Sequence, residues 1–234
     1  MRYRLMIGSV VMLASIANLS RTAESAKDKE VAKTALQAFN DYIGDWKGNG
    51  EKKGPKTDIW NESMNWGWKF NKDGSAALAI KFDDSKSFST GEMKYLADKK
   101  KFQLTVTDKD KKEQVFEGEF KRKLFNFVRV DSATLDKYTL VMSTTNEGAL
   151  FNMKYTVQTG GKGIDKELFV VQSKKEGASI SGAKKNECVV SGGVGTRPVT
   201  FNGKTYYVCC GGCADAFAES PKKFVDEFEK KNKK

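Results

Sequence analysis

Four cysteines, the only ones in the chain, lie within its last fifth: Cys188, Cys209, Cys210 and Cys213. Thiols confined to so short a segment can be metal ligands or disulfide partners, because both uses need sulfur atoms within a few ångströms of one another. The chain has no histidine, which removes imidazole from the possible metal ligands, haem ligands and general bases. Any metal site here must therefore be dominated by sulfur.

Thiolates are soft donors that favour zinc(II) or copper(I), and three or four of them can complete a closed site. Adjacent residues of a strand point to opposite faces, so Cys209 and Cys210 can both face one ion only if the chain kinks. Gly211 and Gly212 make such a kink possible. Without it, the fourth ligand would be Asp215 or water. The predicted metal ligands are Cys188, Cys209 and Cys213, with Cys210 as the candidate fourth.

Two other uses of the thiols stay open at this point. An even number of cysteines permits two disulfides, particularly in a protein that reaches an oxidising compartment. Cys210 and Cys213 are separated by two residues, between a predicted strand and a predicted helix, as in thioredoxin-like oxidoreductases. Too little chain follows them for that fold. No serine or cysteine has a histidine base, so we expect a protein that is not an enzyme.

The segment 188–234 is predicted to form two strands followed by two helices. Asn202-Gly203 is a strong hairpin signal, and Ser220 is a suitable cap before a helix that starts with proline. So short a segment buries little apolar surface, and a metal or disulfide is needed to stabilise it. The predicted elements are strands 198–201 and 205–209, a helix from Cys213 or Ala214, and a helix from Pro221.

This segment resembles the TRASH and YHS families of small, treble-clef-like metal domains, over about residues 188–230. The resemblance rests on residues 188–192 (CVVSG), on 201–213 (FNGKTYYVCCGGC), and on Phe217 with 220–224 (SPKKF). The family pattern of a cysteine, about twenty residues, a cysteine, three residues and a cysteine falls on Cys188, Cys209 and Cys213. The resemblance implies heavy-metal binding, in sensing, trafficking or resistance, and implies no particular reaction.

Residues 44–174 alternate between apolar and polar side chains, with turn residues between the runs. Eight to ten short antiparallel strands of this kind favour a closed barrel over an open sheet with exposed edges, and a two-sheet sandwich is the alternative. An amphipathic helix is predicted at 27–43, and the polar segment 175–187 is predicted to be a linker. The helix places its apolar residues at helical spacing, namely Val31, Ala35, Leu36, Phe39 and Ile43.

The predicted first strand, 44–50 (GDWKGNG), follows a short helix and resembles the first strand of calycin-type barrels, the lipocalin and fatty-acid-binding superfamily. The fold class is therefore predicted as mainly β, a calycin-like antiparallel barrel plus a small ββαα, treble-clef-like cysteine module. Such a barrel can hold an apolar ligand, although its aromatic residues can equally fill the core. The candidate lining residues are Trp60, Trp66, Trp68 and Phe70, with Phe82 and Phe88. No haem is expected.

Residues 1–26 have the layout of a secretory signal peptide. Arg2 and Arg4 precede an apolar run at 7–17, and small residues follow at Ala23 and Ala26. The run of about eleven residues is shorter than the roughly twenty that span a bilayer as a helix. We therefore expect an exported protein, periplasmic or extracellular, without stable membrane insertion after cleavage.

The formal net charge is +11 and the pI about 9.3. The lysines are scattered through turns and often lie beside carboxylates, which favours a solvated surface over a nucleic-acid interface. The sequence thus predicts an exported metal-binding protein that uses zinc or copper(I). The alternatives are a carrier of lipid or another small apolar ligand whose cysteine segment is a disulfide staple, and a thiol oxidoreductase.

Overall fold

The computed structural model describes residues 26–122, 124–177 and 186–232. The predicted signal peptide, apart from its last residue, and residues 178–185 of the predicted linker lie outside these ranges. Within them, no helix is both long enough and apolar enough to cross a membrane.

Ten antiparallel strands form a closed barrel in which each strand pairs with the next along the chain and β10 pairs with β1. This confirms the predicted mainly β fold and the closed barrel, and it excludes the two-sheet sandwich. The strands are β1 Gly44–Lys52, β2 Asp58–Phe70, β3 Ala76–Asp83, β4 Phe88–Leu96, β5 Lys101–Asp108, β6 Glu113–Lys121, β7 Leu124–Val130, β8 Lys137–Thr145, β9 Leu150–Gln158 and β10 Lys166–Lys175.

The N-terminal helix closes one end of this barrel. Residues 26–36 form α1, and a 3-10 helix continues it over Gln37–Tyr42. The Phe39 ring stacks on Phe125 with their centroids 3.6 Å apart, and Tyr42 lies 5.4 Å from the ring of Trp66. Aromatic side chains from this helical segment thus extend the barrel core. The segment therefore needs an apolar face toward the barrel.

The predicted helix is confirmed in its position but not in all of its buried residues. Leu36, Phe39 and Ile43 are buried as predicted, whereas Val31 is 42% exposed. At 3.6 residues per turn, Val31 lies about 140° around the helix from Leu36, so the two cannot share a narrow buried face. The prediction for Val31 was wrong because its face points away from the barrel.

The C-terminal elements follow the predicted order of hairpin and two helices. Asn202 and Gly203 have φ of 49° and 74°, the positive values that a two-residue type I′ turn requires. The strand ends at Val208, one residue earlier than predicted, and α2 starts at Gly211 instead of Cys213 or Ala214. The elements are β11 Asn186–Glu187, β12 Val194–Gly195, β13 Arg197–Phe201, β14 Lys204–Val208, α2 Gly211–Glu219 and α3 Pro221–Asn232.

Candidate metal centre

Three of the four predicted ligands converge from separate parts of the C-terminal segment. Cys188 directly follows β11 and forms a bridge with Tyr207 of β14, Cys209 directly follows β14, and Cys213 lies in the first turn of α2. Their sulfur atoms all lie within 4.8 Å of one another, and all three residues are buried. The hairpin and the helix that follows it therefore assemble one compact group of thiols.

The spacing of the sulfur atoms fits metal ligands better than disulfides. Cys209 Sγ lies 3.5 Å from Cys213 Sγ and 3.8 Å from Cys210 Sγ, and all four cysteines are free thiols. A disulfide requires an S–S distance of about 2.05 Å. Sulfur atoms bound tetrahedrally at about 2.3 Å from zinc are separated by roughly 3.8 Å. The donor set therefore fits a soft metal ion.

Cys210 lies beside this group of three thiols without belonging to it. The chain bends at Cys209 and Cys210, just ahead of Gly211 and Gly212, the two glycines that make a kink possible. Cys210 itself is extended, with φ −155° and ψ 176°, and directly precedes α2 without a side-chain capping hydrogen bond. Its sulfur accepts a hydrogen bond from the backbone N–H of Trp68, 3.3 Å away in the barrel strand β2. Asp215, the other candidate ligand, is exposed on α2 and is not brought to the thiols.

Ser191 hydrogen-bonds to the thiol cluster, a role that was not predicted from the sequence. It is fully buried, its backbone N–H donates to Cys188 Sγ at 3.5 Å, and its hydroxyl lies 3.3 Å from Cys209 Sγ. The turn that holds it is closed by hydrogen bonds from Gly192 N to Cys188 O and from Cys188 N to Gly193 O. The sequence does contain a sign of this tight turn, because Ser191 is followed by two glycines soon after Cys188.

Hydrogen bonds among the thiols set their protonation. Donation by Cys209 and Cys213 lowers the pKa of the Cys188 and Cys210 thiols, and the Ser191 and Trp68 N–H groups act in the same direction. Hydrogen bonding to Cys188 and burial raise the pKa of the Cys209 and Cys213 thiols. The cluster thus favours thiolates at two positions, and the thiolate is the form of cysteine that binds a metal.

The start of α2 packs against an edge of the barrel. Strand β1 begins at Gly44, opposite Trp66, so residues of β2 beyond Trp66 have no partner in β1. Gly212 covers this edge so closely that an added Cβ would lie 1.7 Å from the Trp68 carbonyl oxygen. The cysteine segment therefore shields strand groups that would otherwise be an open sheet edge.

The cysteine segment also contacts the helix that closes the barrel. The side-chain amides of Gln37 and Asn40 donate to Ser191 O at 3.0 and 3.2 Å. The Lys33 ammonium lies 5.7 Å from the centre of the Phe224 ring of α3. The thiol cluster consequently sits between its own hairpin, α1 and the wall of the barrel.

Four of the six aromatic residues predicted to line the barrel lie at even-numbered positions of β2, on its inner face, and the other two, Phe82 and Phe88, are buried in the same core. Trp60, Trp66 and Trp68 are buried, and Phe70 is partly buried. Trp68 stacks on Phe70, with 5.6 Å between ring centroids, and all four belong to or pack against the hydrophobic core. These contacts are those of core residues, so they do not add support to the prediction of an apolar ligand.

Comparison with models of protein families finds no match, and comparison with curated proteins finds none either. Among solved structures, the chain is similar to the one titled "Crystal Structure of Rv2717c from M. tuberculosis". That similarity has a TM-score of 0.38 and 12% sequence identity, and it covers 61% of this chain and 97% of the other. The geometry of the thiols is therefore the only guide to function among the described residues.

Proposed function

We propose that this chain is a metal-binding protein that holds a soft transition metal ion, zinc or copper(I), through the thiolates of Cys188, Cys209 and Cys213. The observation that carries the proposal is the group of three buried sulfur atoms within 4.8 Å of one another. Buried thiolates are unfavourable unless a positive charge compensates them, and a soft cation supplies that charge. The bound ion would stabilise the C-terminal segment, whose own core is small.

The arrangement of the ligands supports a treble-clef-like module of the TRASH or YHS kind. One thiol precedes the hairpin β13–β14, one follows its second strand, and one lies at the start of the next helix. A cysteine in the first turn of a helix has its thiolate stabilised by the helix dipole. The barrel acts as the scaffold against which this module packs, and no reaction is assigned to it.

We also propose that the protein is exported, on the basis of the signal-like residues 1–26. Export would place the thiols in an oxidising compartment, where they persist as thiolates only if they are protected. Burial of all four cysteines and coordination of a metal would both provide that protection.

Metal content tests the proposal directly. The protein purified without oxygen should contain about one zinc or copper ion per chain, measured by elemental mass spectrometry. Substitution of Cys188→Ser or Cys213→Ser should remove most of the bound metal, because one of the three thiolate ligands is lost. Asp215→Asn is the matched control, since this exposed carboxylate lies in the same helix as Cys213 and should leave the metal content unchanged. Equal metal content in all four proteins would contradict the proposed site.

A further inference from the structure

Cys210 lies outside the group of three sulfur atoms that are all within 4.8 Å of one another, but its own sulfur is next to one member of that group. Cys210 Sγ lies 3.8 Å from Cys209 Sγ. The residue is only 5% exposed, although the next residue, Gly211, is exposed. A nucleophilic cysteine needs access to its substrate, so this degree of burial favours a ligand over a reactive thiol.

The barrel supplies a hydrogen bond that a thiolate uses better than a neutral thiol does. The N–H of Trp68 donates to Cys210 Sγ at 3.3 Å across 142 positions of the sequence. A neutral thiol is a weak acceptor, whereas hydrogen bonds to an ionised acceptor are about twice as strong as neutral ones. The N–H group of Trp68 has no partner in β1, and it donates to the Cys210 sulfur at a position where a thiolate would be stabilised.

The close approach of α2 to the barrel fixes this contact. Gly212 lies against the Trp68 carbonyl oxygen with no room for a side chain, whereas Gly211 has no heavy atom within 4 Å of the position of an added Cβ. Gly212 thus permits the start of α2, and with it Cys210, to reach β2. The barrel thus fixes the position of the Cys210 sulfur.

On these grounds we infer that Cys210 is the fourth ligand of the proposed centre, positioned by the backbone of Trp68, and that the site is a four-thiolate site for zinc(II). The inference rests on the proposed function and extends it by naming the ion. Four sulfur ligands in a tetrahedral arrangement are characteristic of zinc or iron–sulfur sites. Structural zinc sites are almost always four-coordinate, so the three thiols alone would leave such a site incomplete.

X-ray absorption at the zinc edge counts the ligands in the intact protein. The wild-type chain loaded with one equivalent of zinc should show four sulfur neighbours at about 2.3 Å. The Cys210→Ser variant should show three sulfurs and one lighter atom, and its zinc affinity, measured by competition with a chelator, should be at least about tenfold lower. The wild-type spectrum decides the ligand number even if the variant folds poorly.

A pair of glycine variants tests the role of the barrel. Gly212→Ala should lower zinc affinity about tenfold, as loss of support around a ligand typically does, because the added methyl group pushes α2 away from Trp68. Gly211→Ala should leave zinc affinity unchanged, since the space there is open. Both changes introduce the same residue into the same turn of α2.

The possible outcomes separate this inference from the proposed function. Three sulfur neighbours in the wild-type protein, unchanged by Cys210→Ser, would overturn the inference and leave the three-cysteine metal site standing. Preferential binding of copper(I) by three thiolates would do the same. Absence of any bound metal in the anaerobic wild-type protein, with zinc or copper(I) supplied, would remove the proposed function itself.

Discussion

At the scale of single residues, hydrogen bonds from neighbouring groups hold the sulfur atoms of the thiol cluster in place. Ser191 contacts two of the thiols, and the Trp68 N–H contacts a third from another part of the fold. Groups that support metal ligands fix the ligand orientation and commonly contribute 10- to 100-fold in affinity. Their presence here is a reason to regard the thiol cluster as an organised site.

Glu62 is a second residue with an unusual environment, inside the barrel and away from the cysteines. It is 4% exposed, and its Oε2 accepts a hydrogen bond from Trp60 Nε1 at 2.6 Å. Burial raises the pKa of its carboxyl group above the ordinary value of 4.5. The folded state thus binds this proton more tightly than the unfolded state does, so protonated Glu62 stabilises the fold at low pH.

We predict that Glu62→Gln stabilises the protein in a pH-dependent manner. The contribution of the protonated carboxyl is complete below about pH 4.5 and is lost as the pH rises through the raised pKa of the folded state. Glutamine stays neutral and keeps an oxygen for Trp60, so the variant should have a Tm a few degrees higher at pH 7 and nearly the same Tm at pH 4. Circular dichroism with chelator present measures both. An equal Tm difference at the two pH values would contradict the explanation.

At the scale of elements, strand β14 of the hairpin β13–β14 brings Cys188 and Cys209 together, because Cys188 pairs with Tyr207 and Cys209 directly follows the strand. Its turn depends on Gly203, whose φ of 74° is accessible to glycine at little cost. No heavy atom lies within 4 Å of an added Cβ at this position, so the effect of a substitution there is conformational and not steric.

Gly203→Ala should therefore destabilise the protein by about 1 kcal/mol, the typical cost of a left-handed conformation for a residue with a side chain. Chemical denaturation of the zinc-loaded protein measures the change. Gly211→Ala is a suitable control, because it adds the same methyl group in open space at a position with ordinary φ. Equal stabilities of the two variants would show that the turn does not constrain the hairpin.

Features that depend on neighbouring residues could be predicted from the sequence, whereas contacts between distant residues could not. The barrel strands and the Asn202-Gly203 turn were predictable, because alternating burial and turn chemistry are local properties. The start of α2 was placed late, since two glycines suggested a break and instead entered the helix. The contact between Cys210 and Trp68 joins residues 142 positions apart, and no local pattern encodes it.

At the scale of the whole molecule, the cysteine module is packed against the end of the barrel that α1 closes. Contacts from Gln37 and Asn40 to Ser191, and from β2 to α2, bring two parts of the barrel domain to the thiol cluster. Metal binding to such a cluster should stabilise the packed arrangement, because a ligand bound only by the folded state shifts the unfolding equilibrium. We therefore expect metal binding to raise the stability of both the barrel and the cysteine module.

Metal coordination by the thiols is tested most directly by a count of reactive thiols in the anaerobically purified protein, before and after removal of metal by a chelator. We predict few reactive thiols at first, and four per chain after chelation and unfolding, with about one metal ion released. Four cysteines that stay unreactive in the unfolded, chelated protein until a reductant is added, with no metal released, would show disulfides and would contradict metal binding by these thiols.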